Sequence, residues 1–112
     1  MFPNLGNAIL DCVRIIARNT LVKFWARHPS TKASLTHWMS VTKDAQWKNS
    51  DEAQAAFSKA KALNGERVRY EVAGGDYRLI VAFDFSRQVA FIKFVGTHAE
   101  YDKIDALTVN LF

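Results

Sequence analysis

Three side chains in the second half of this 112-residue chain have the chemistry to handle a phosphate and a proton. Arg78 sits in an alternating stretch, Tyr77 to Phe85, whose Leu79, Val81 and Phe83 form one face. Its guanidinium therefore points away from that core. A guanidinium fork so placed can hold a phosphate bidentately and meet negative charge as it develops. The plain alternative is a solvated strand arginine, or one paired with Asp84 or Glu71. His98 is the only histidine outside the helical half. An unperturbed imidazole, with its reference pKa near ~6.5, can act as acid or base at neutral pH; otherwise His98 simply ends a strand at the surface. Tyr101 can hydrogen-bond a phosphate, stack on a base or exchange a proton, or it can complete the core from a helix face. Beside it, Asp102 can orient a neighbour and Lys103 can contact phosphate. Arg69 and Lys93 share a face with Arg78 only in the right strand register, which sequence does not fix.

These residues need a frame, and the hydrophobic periods supply one. Val13-Arg14-Ile15-Ile16-Ala17 is a β-branched run that suits a strand. Leu21, Phe24, Trp25 and His28 form the stripe of a short helix closed by Pro29. Ser30 or Thr31 can cap a second helix that buries Leu35, Trp38 and Met39 and extends toward Trp47. Ser50 and Asp51 can start a third, burying Ala53, Ala56 and Phe57. After Asn64-Gly65 the period changes from 3.6 to 2. Val68, Tyr70 and Val72 alternate with Arg69 and Glu71, and Gly74-Gly75-Asp76 makes a tight turn into Tyr77–Phe85. Ser86-Arg87 turns again into a strand from Gln88 to Val95, apolar on both faces except at Lys93 and so central in its sheet. One strand, two or three helices and a three-stranded meander mean an α+β fold.

Composition narrows the class further. Hydrophobic residues are 49% and charged residues 23%, enough apolar content for one packed core. A formal charge of +4 favours a polyanionic partner: nucleic acid, an anionic membrane surface or an acidic protein. The longest apolar run, Leu79 to Phe83, is far too short to span a membrane. A single cysteine, Cys12, excludes an intrachain disulfide framework, suits a reducing, cytoplasmic setting and has no His or cation arranged to activate it. His28 and His37 lack further ligands at metal spacing, so no metal and no cofactor are expected. Trp25, Trp38, Met39 and Trp47 stand at core positions. The tail from Ile104 to Phe112 covers a sheet edge, packs on the core or marks a docking point for a partner.

Taken together in order, Trp25-x-x-His28-Pro29, Leu35-x-x-Trp38, Ala45-x-Trp47-x-Asn49, Tyr77-Arg78-Leu79-Ile80 and the run from Thr97 to Lys103 resemble the HigB family of bacterial toxins. That family belongs to the RelE/ParE superfamily of type II toxin–antitoxin systems. The likeness runs from about Val13 to Lys103. It implies a RelE-like fold, a small twisted antiparallel sheet with two or three helices on one face and a basic concave face on the other. It also implies a ribosome-dependent mRNA endoribonuclease, an mRNA interferase that blocks translation and is silenced by a HigA-type antitoxin. Residues 1–12 fall outside the family pattern. Val13 sits where a start methionine is expected, so 1–12 reads as an N-terminal extension and 13–112 as one toxin domain. Asp76 replaces the usual asparagine of the turn, and the lysine before Tyr77 is missing.

Metal-independent RNA cleavage removes a proton from the 2′-hydroxyl, returns one to the 5′-oxygen and offsets charge on the phosphorane. The resemblance assigns Arg78, His98 and Tyr101 to catalysis, and Arg69, Lys93 and Lys103 to RNA contacts. Two other readings are a ParE-like gyrase inhibitor without nuclease activity and a basic RNA-binding module without chemistry.

Overall fold

The computed structural model describes residues 13–112; residues 1–12, read above as an extension and including Cys12, lie outside the described residues. Strand β1 (Arg14–Ile16) leads into helix α1 (Arg18–Arg27), and a 3₁₀ turn at Pro29–Thr31 joins it to α2 (Lys32–Lys43). A short helix α3 (Ser50–Ala55) precedes β2 (Ala60–Ala62), β3 (Arg67–Val72), β4 (Tyr77–Asp84) and β5 (Val89–Thr97), and α4 (His98–Tyr101) follows directly. The sheet has five strands in the order β1-β5-β4-β3-β2. It is the expected α+β fold, with one added feature: β1 pairs with β5 in parallel, so the sheet is mixed. The other neighbours are antiparallel.

Local chemistry accounts for the boundaries. Thr31 does not cap α2 with its side chain; its hydroxyl donates to the His28 carbonyl (2.7 Å) and stabilises the turn. Helix α2 stops at Lys43, well short of Trp47, which instead packs edge-on against Phe57 and Phe83. Asn49 rather than Ser50 or Asp51 caps α3, accepting the Glu52 N–H at 2.9 Å. The β3–β4 turn needs left-handed backbone at Gly74 (φ 72°) and Gly75 (φ 102°), which glycine adopts without a Cβ clash. Strand β2 escapes sequence reading because Ala-Lys-Ala carries no β signal; it forms because Ala60 and Ala62 pair with Tyr70 and Val68.

Cross-strand partners share a face, so the register sorts the residues. Val68, Tyr70, Val72, Leu79, Val81 and Phe83 join Leu21, Phe24, Leu35, Trp38 and Met39 in the core beneath the helices. Trp25 and Trp47 pack against the same core. Arg67, Arg69 and Glu71 on β3 pair with Ala82, Ile80 and Arg78 on β4, and all project to the opposite face. Lys61 pairs with Arg69 and extends that row to β2. A register shift after Ile80 leaves Lys93 bulged, because Ile80 pairs with Phe94 and Val81 with Ile92.

The C-terminal tail covers part of this second face. Arg67 Nη1 donates to the carbonyls of Ala106 (3.0 Å) and Val109 (2.9 Å). The tail then reaches β5, where the Leu111 N–H donates to the Lys93 carbonyl (3.1 Å). Ile80, Ala82 and Phe94 are accordingly buried although they lie outside the core beneath the helices.

Candidate functional site

The site forms where three strands end together. Glu71 is at the close of β3, Arg78 is directly opposite at the start of β4, and Gly96, near the end of β5, is the other cross-strand neighbour of Arg78. Helix α4 begins two residues later. Its start is fixed by a capping box in which Thr97 Oγ1 accepts the Glu100 N–H (3.1 Å) and Glu100 Oε1 accepts the Thr97 N–H (2.8 Å). The His98 N–H donates to the Asp76 carbonyl (2.9 Å), tying α4 to the β3–β4 turn. One short turn thus locates the His98 and Tyr101 side chains relative to Arg78.

Arg78 is 9% exposed. Its Nη1 donates to the Gly75 carbonyl and, at 3.3 Å, to its neighbour Tyr77. Its guanidinium carbon lies 5.8 Å from the centre of the Tyr101 ring. Tyr101 also packs against Phe94, at 6.2 Å between ring centres. The arginine is therefore clamped between the turn and an aromatic face. Neither expected ion pair forms within 4.0 Å: Asp84 pairs with Arg87 (3.4 Å), and Glu71 pairs with Arg69 (4.0 Å). The Nε groups of Arg78 and Arg69 are both buried without a hydrogen-bond partner among the described residues. Buried donors left unpaired carry a desolvation cost and mark places where a ligand can repay it.

His98 Nδ1 lies 3.0 Å from Asp102 Oδ2, one helical turn away, and both side chains are more than half exposed. The carboxylate steadies the ring through Nδ1, and Nε2 makes no hydrogen bond among the described residues.

Arg69 stands on the same face as Arg78, two residues down β3 from Glu71. Lys103 is exposed just beyond α4. Lys93 stands apart. It lies three residues along β5 from Gly96, roughly 10 Å of strand. Its ammonium donates to Asn110 (3.1 Å) and sits over Phe91. Sequence reading overlooked Glu71 as a member of the site, and overlooked Lys61 and Arg67 altogether. The alternation Arg67, Arg69, Glu71 already placed these charges on one strand face. His28 packs with Phe24 and Tyr77 in a three-ring cluster, and His37 meets Phe57 edge-on. Among the described residues no three His, Cys, Asp or Glu are grouped to hold a metal ion. No helix among them is long and apolar enough to cross a membrane.

No curated protein matches the chain. The family model for the HigB toxin, a RelE-like toxic component of a toxin–antitoxin system, matches residues 31–104, well over half of the chain. That interval runs from the start of α2 through all of β2 to β5 and α4, and so contains every candidate site residue. The chain belongs to the HigB toxin family, the toxic component of a toxin–antitoxin system whose partner is an antitoxin.

Proposed function

We propose that the chain is an mRNA interferase that cleaves messenger RNA on the ribosome without a metal, in the cytoplasm, until a HigA-type antitoxin silences it. The observation that carries this reading is the clamped Arg78 guanidinium, 5.8 Å over Tyr101, at the start of the helix that presents His98. A planar cation fixed in advance offsets charge on the phosphorane without reorganising during the reaction.

In this reading the scissile phosphate lies against Arg78, and Tyr101 positions it. Glu71, cross-strand from Arg78, accepts the 2′-hydroxyl proton. The 2′-oxygen attacks phosphorus, the bond to the 5′-oxygen breaks, and His98, steadied by Asp102, returns a proton to that leaving oxygen. The products are a 2′,3′-cyclic phosphate and a free 5′-hydroxyl. Arg69 on β3, Lys61 on β2 and Lys103 beyond α4 supply phosphate contacts. Arg67 and Lys93 are engaged by the tail and contribute less.

Primer extension on a defined mRNA in a purified translation system, with and without ribosomes, tests the proposal. Cuts that require both ribosomes and Arg78 are expected. Cuts by Arg78→Ala equal to those of the wild type would remove the site assignment. No cuts from a folded protein that still arrests growth and inhibits supercoiling would favour the gyrase-directed reading.

A further inference from the structure

A groove of about 540 Å³ lies on the helical side of the sheet, between α1, α2 and β1. Its apolar surface comes from Ile15, Trp25 and Met39, and its charged surface from Arg14, Arg18 and Lys43. No carboxylate of the described residues lines it or lies within salt-bridge distance of those three cations. Helical spacing explains the shape. On α2, Thr36, Met39, Ser40 and Lys43 follow i, i+3, i+4 and i+7; on α1, Arg18 and Trp25 fall on one stripe with the exposed Val22 between them. Two helical stripes over a strand make a trough with an apolar floor and a basic rim.

We infer that this groove docks an acidic amphipathic helix of the antitoxin. Such a helix would set an apolar ridge against Trp25 and Met39 and carboxylates against Arg14, Arg18 and Lys43. A bare phosphate chain uses the cations and gains little from the buried Met39 and the apolar Ile15. Arg69 and Arg78 project from the opposite face of the sheet, so the antitoxin holds the toxin from behind the proposed RNA face. The inference rests on membership of a toxin–antitoxin family, not on the nuclease reading.

The test uses the chain co-purified with its cognate antitoxin. A photo-crosslinking residue at Ser40 is expected to capture the antitoxin, and the same residue at Lys61 is not. The double variant Arg18→Glu/Lys43→Glu should bind the antitoxin about tenfold or more weakly. It should keep the thermal midpoint of the wild type. Antitoxin capture from Lys61 but not Ser40, or unchanged affinity in the double variant, overturns the inference. So does a double variant that loses ribosome-dependent RNA cleavage while binding antitoxin normally, because the groove would then serve RNA. Because crosslinking and affinity involve no RNA, they report on the groove even if the chain proves not to be a nuclease.

Discussion

Glu71 and Arg78 face each other directly across β3 and β4. Gly75, in the turn between those strands, lacks the β-carbon that would stand 3.1 Å from Glu71 Oε1 and 3.9 Å from Arg78 Nη1. A carboxylate can accept the 2′-hydroxyl proton, and the amide of the same shape cannot. Glu71→Gln should therefore lower cleavage by roughly 10²-fold with thermal stability little changed. Single-turnover cleavage on programmed ribosomes and a melting curve measure both. Cleavage by Glu71→Gln equal to that of the wild type would make Glu71 a tether for its arginine neighbours.

Charge alone is insufficient at position 78. The guanidinium bonds the turn carbonyls through Nη1 while lying over Tyr101. A lysine ammonium keeps the charge and loses the planar fork and much of the stacking. Arg78→Lys is expected to cleave about 10²-fold more slowly, close to Arg78→Ala, with thermal stability little changed. Primer-extension rates and a melting curve for both variants check this. Near-normal cleavage by Arg78→Lys would show that the site uses only a point charge.

The period change after Asn64 made β3, β4 and β5 legible: alternation along β3 and around Arg78 marks the face beneath the helices, and β5, like most of β4 buried on both faces, reads as an apolar run between turns. That same alternation correctly turned Arg78 and Arg69 away from the core. Two features lay beyond it. The parallel pairing of β1 with β5 depends on where a chain segment returns in space, which no local pattern encodes. Lys93 is the extra residue of a β5 bulge, so alternation assigns it no face, and it stands three residues along the strand from Gly96, the partner of Arg78. Glu71 stayed hidden for a different reason: a charge on an exposed strand face looks ordinary until register sets it opposite the arginine.

Gly96 is required by close approach, not by its backbone angles. A β-carbon there would lie 2.8 Å from Glu100 Oε1, which completes the capping box, and 2.8 Å from the ring of the buried Phe94. Gly96→Ala should displace both, at a cost of about 1–3 kcal/mol. Because Phe94 supports Tyr101, cleavage should fall further than stability alone dictates. Denaturant melts paired with cleavage rates separate the two effects. Wild-type values in both would mean that the α4 start relaxes freely.

The Asp84 carboxyl is held below its ordinary value, chiefly by the hydrogen bond from the Ser86 hydroxyl and then by the Arg87 N–H. A folded-state pKa below the unfolded one gives stability that is present above the unfolded value and is lost as pH falls through the folded one. The wild type should therefore exceed Asp84→Asn in thermal midpoint near neutral pH, and the two should converge below about pH 4. Midpoints measured across that range decide the point. A constant difference at every pH would attribute the effect to the shape of the β4–β5 turn.

Arg67 binds the tail at two places, Ala106 and Val109, and it does so from the face proposed for RNA. Removing it deletes both bonds while leaving the Leu111–Lys93 backbone contact. Charge-assisted bonds of this kind contribute roughly 1.5–3 kcal/mol each when their partners are fixed, and less when the tail can rearrange. Arg67→Ala should speed amide exchange across residues 105–110 well before it affects β3 to β5, since the tail then opens without the sheet. Exchange that rises equally in tail and sheet would instead make the tail an integral part of the fold. With the tail loosened, Ile80 and Phe94 gain solvent exposure, so a modest rise in binding of a hydrophobic dye should accompany the faster exchange.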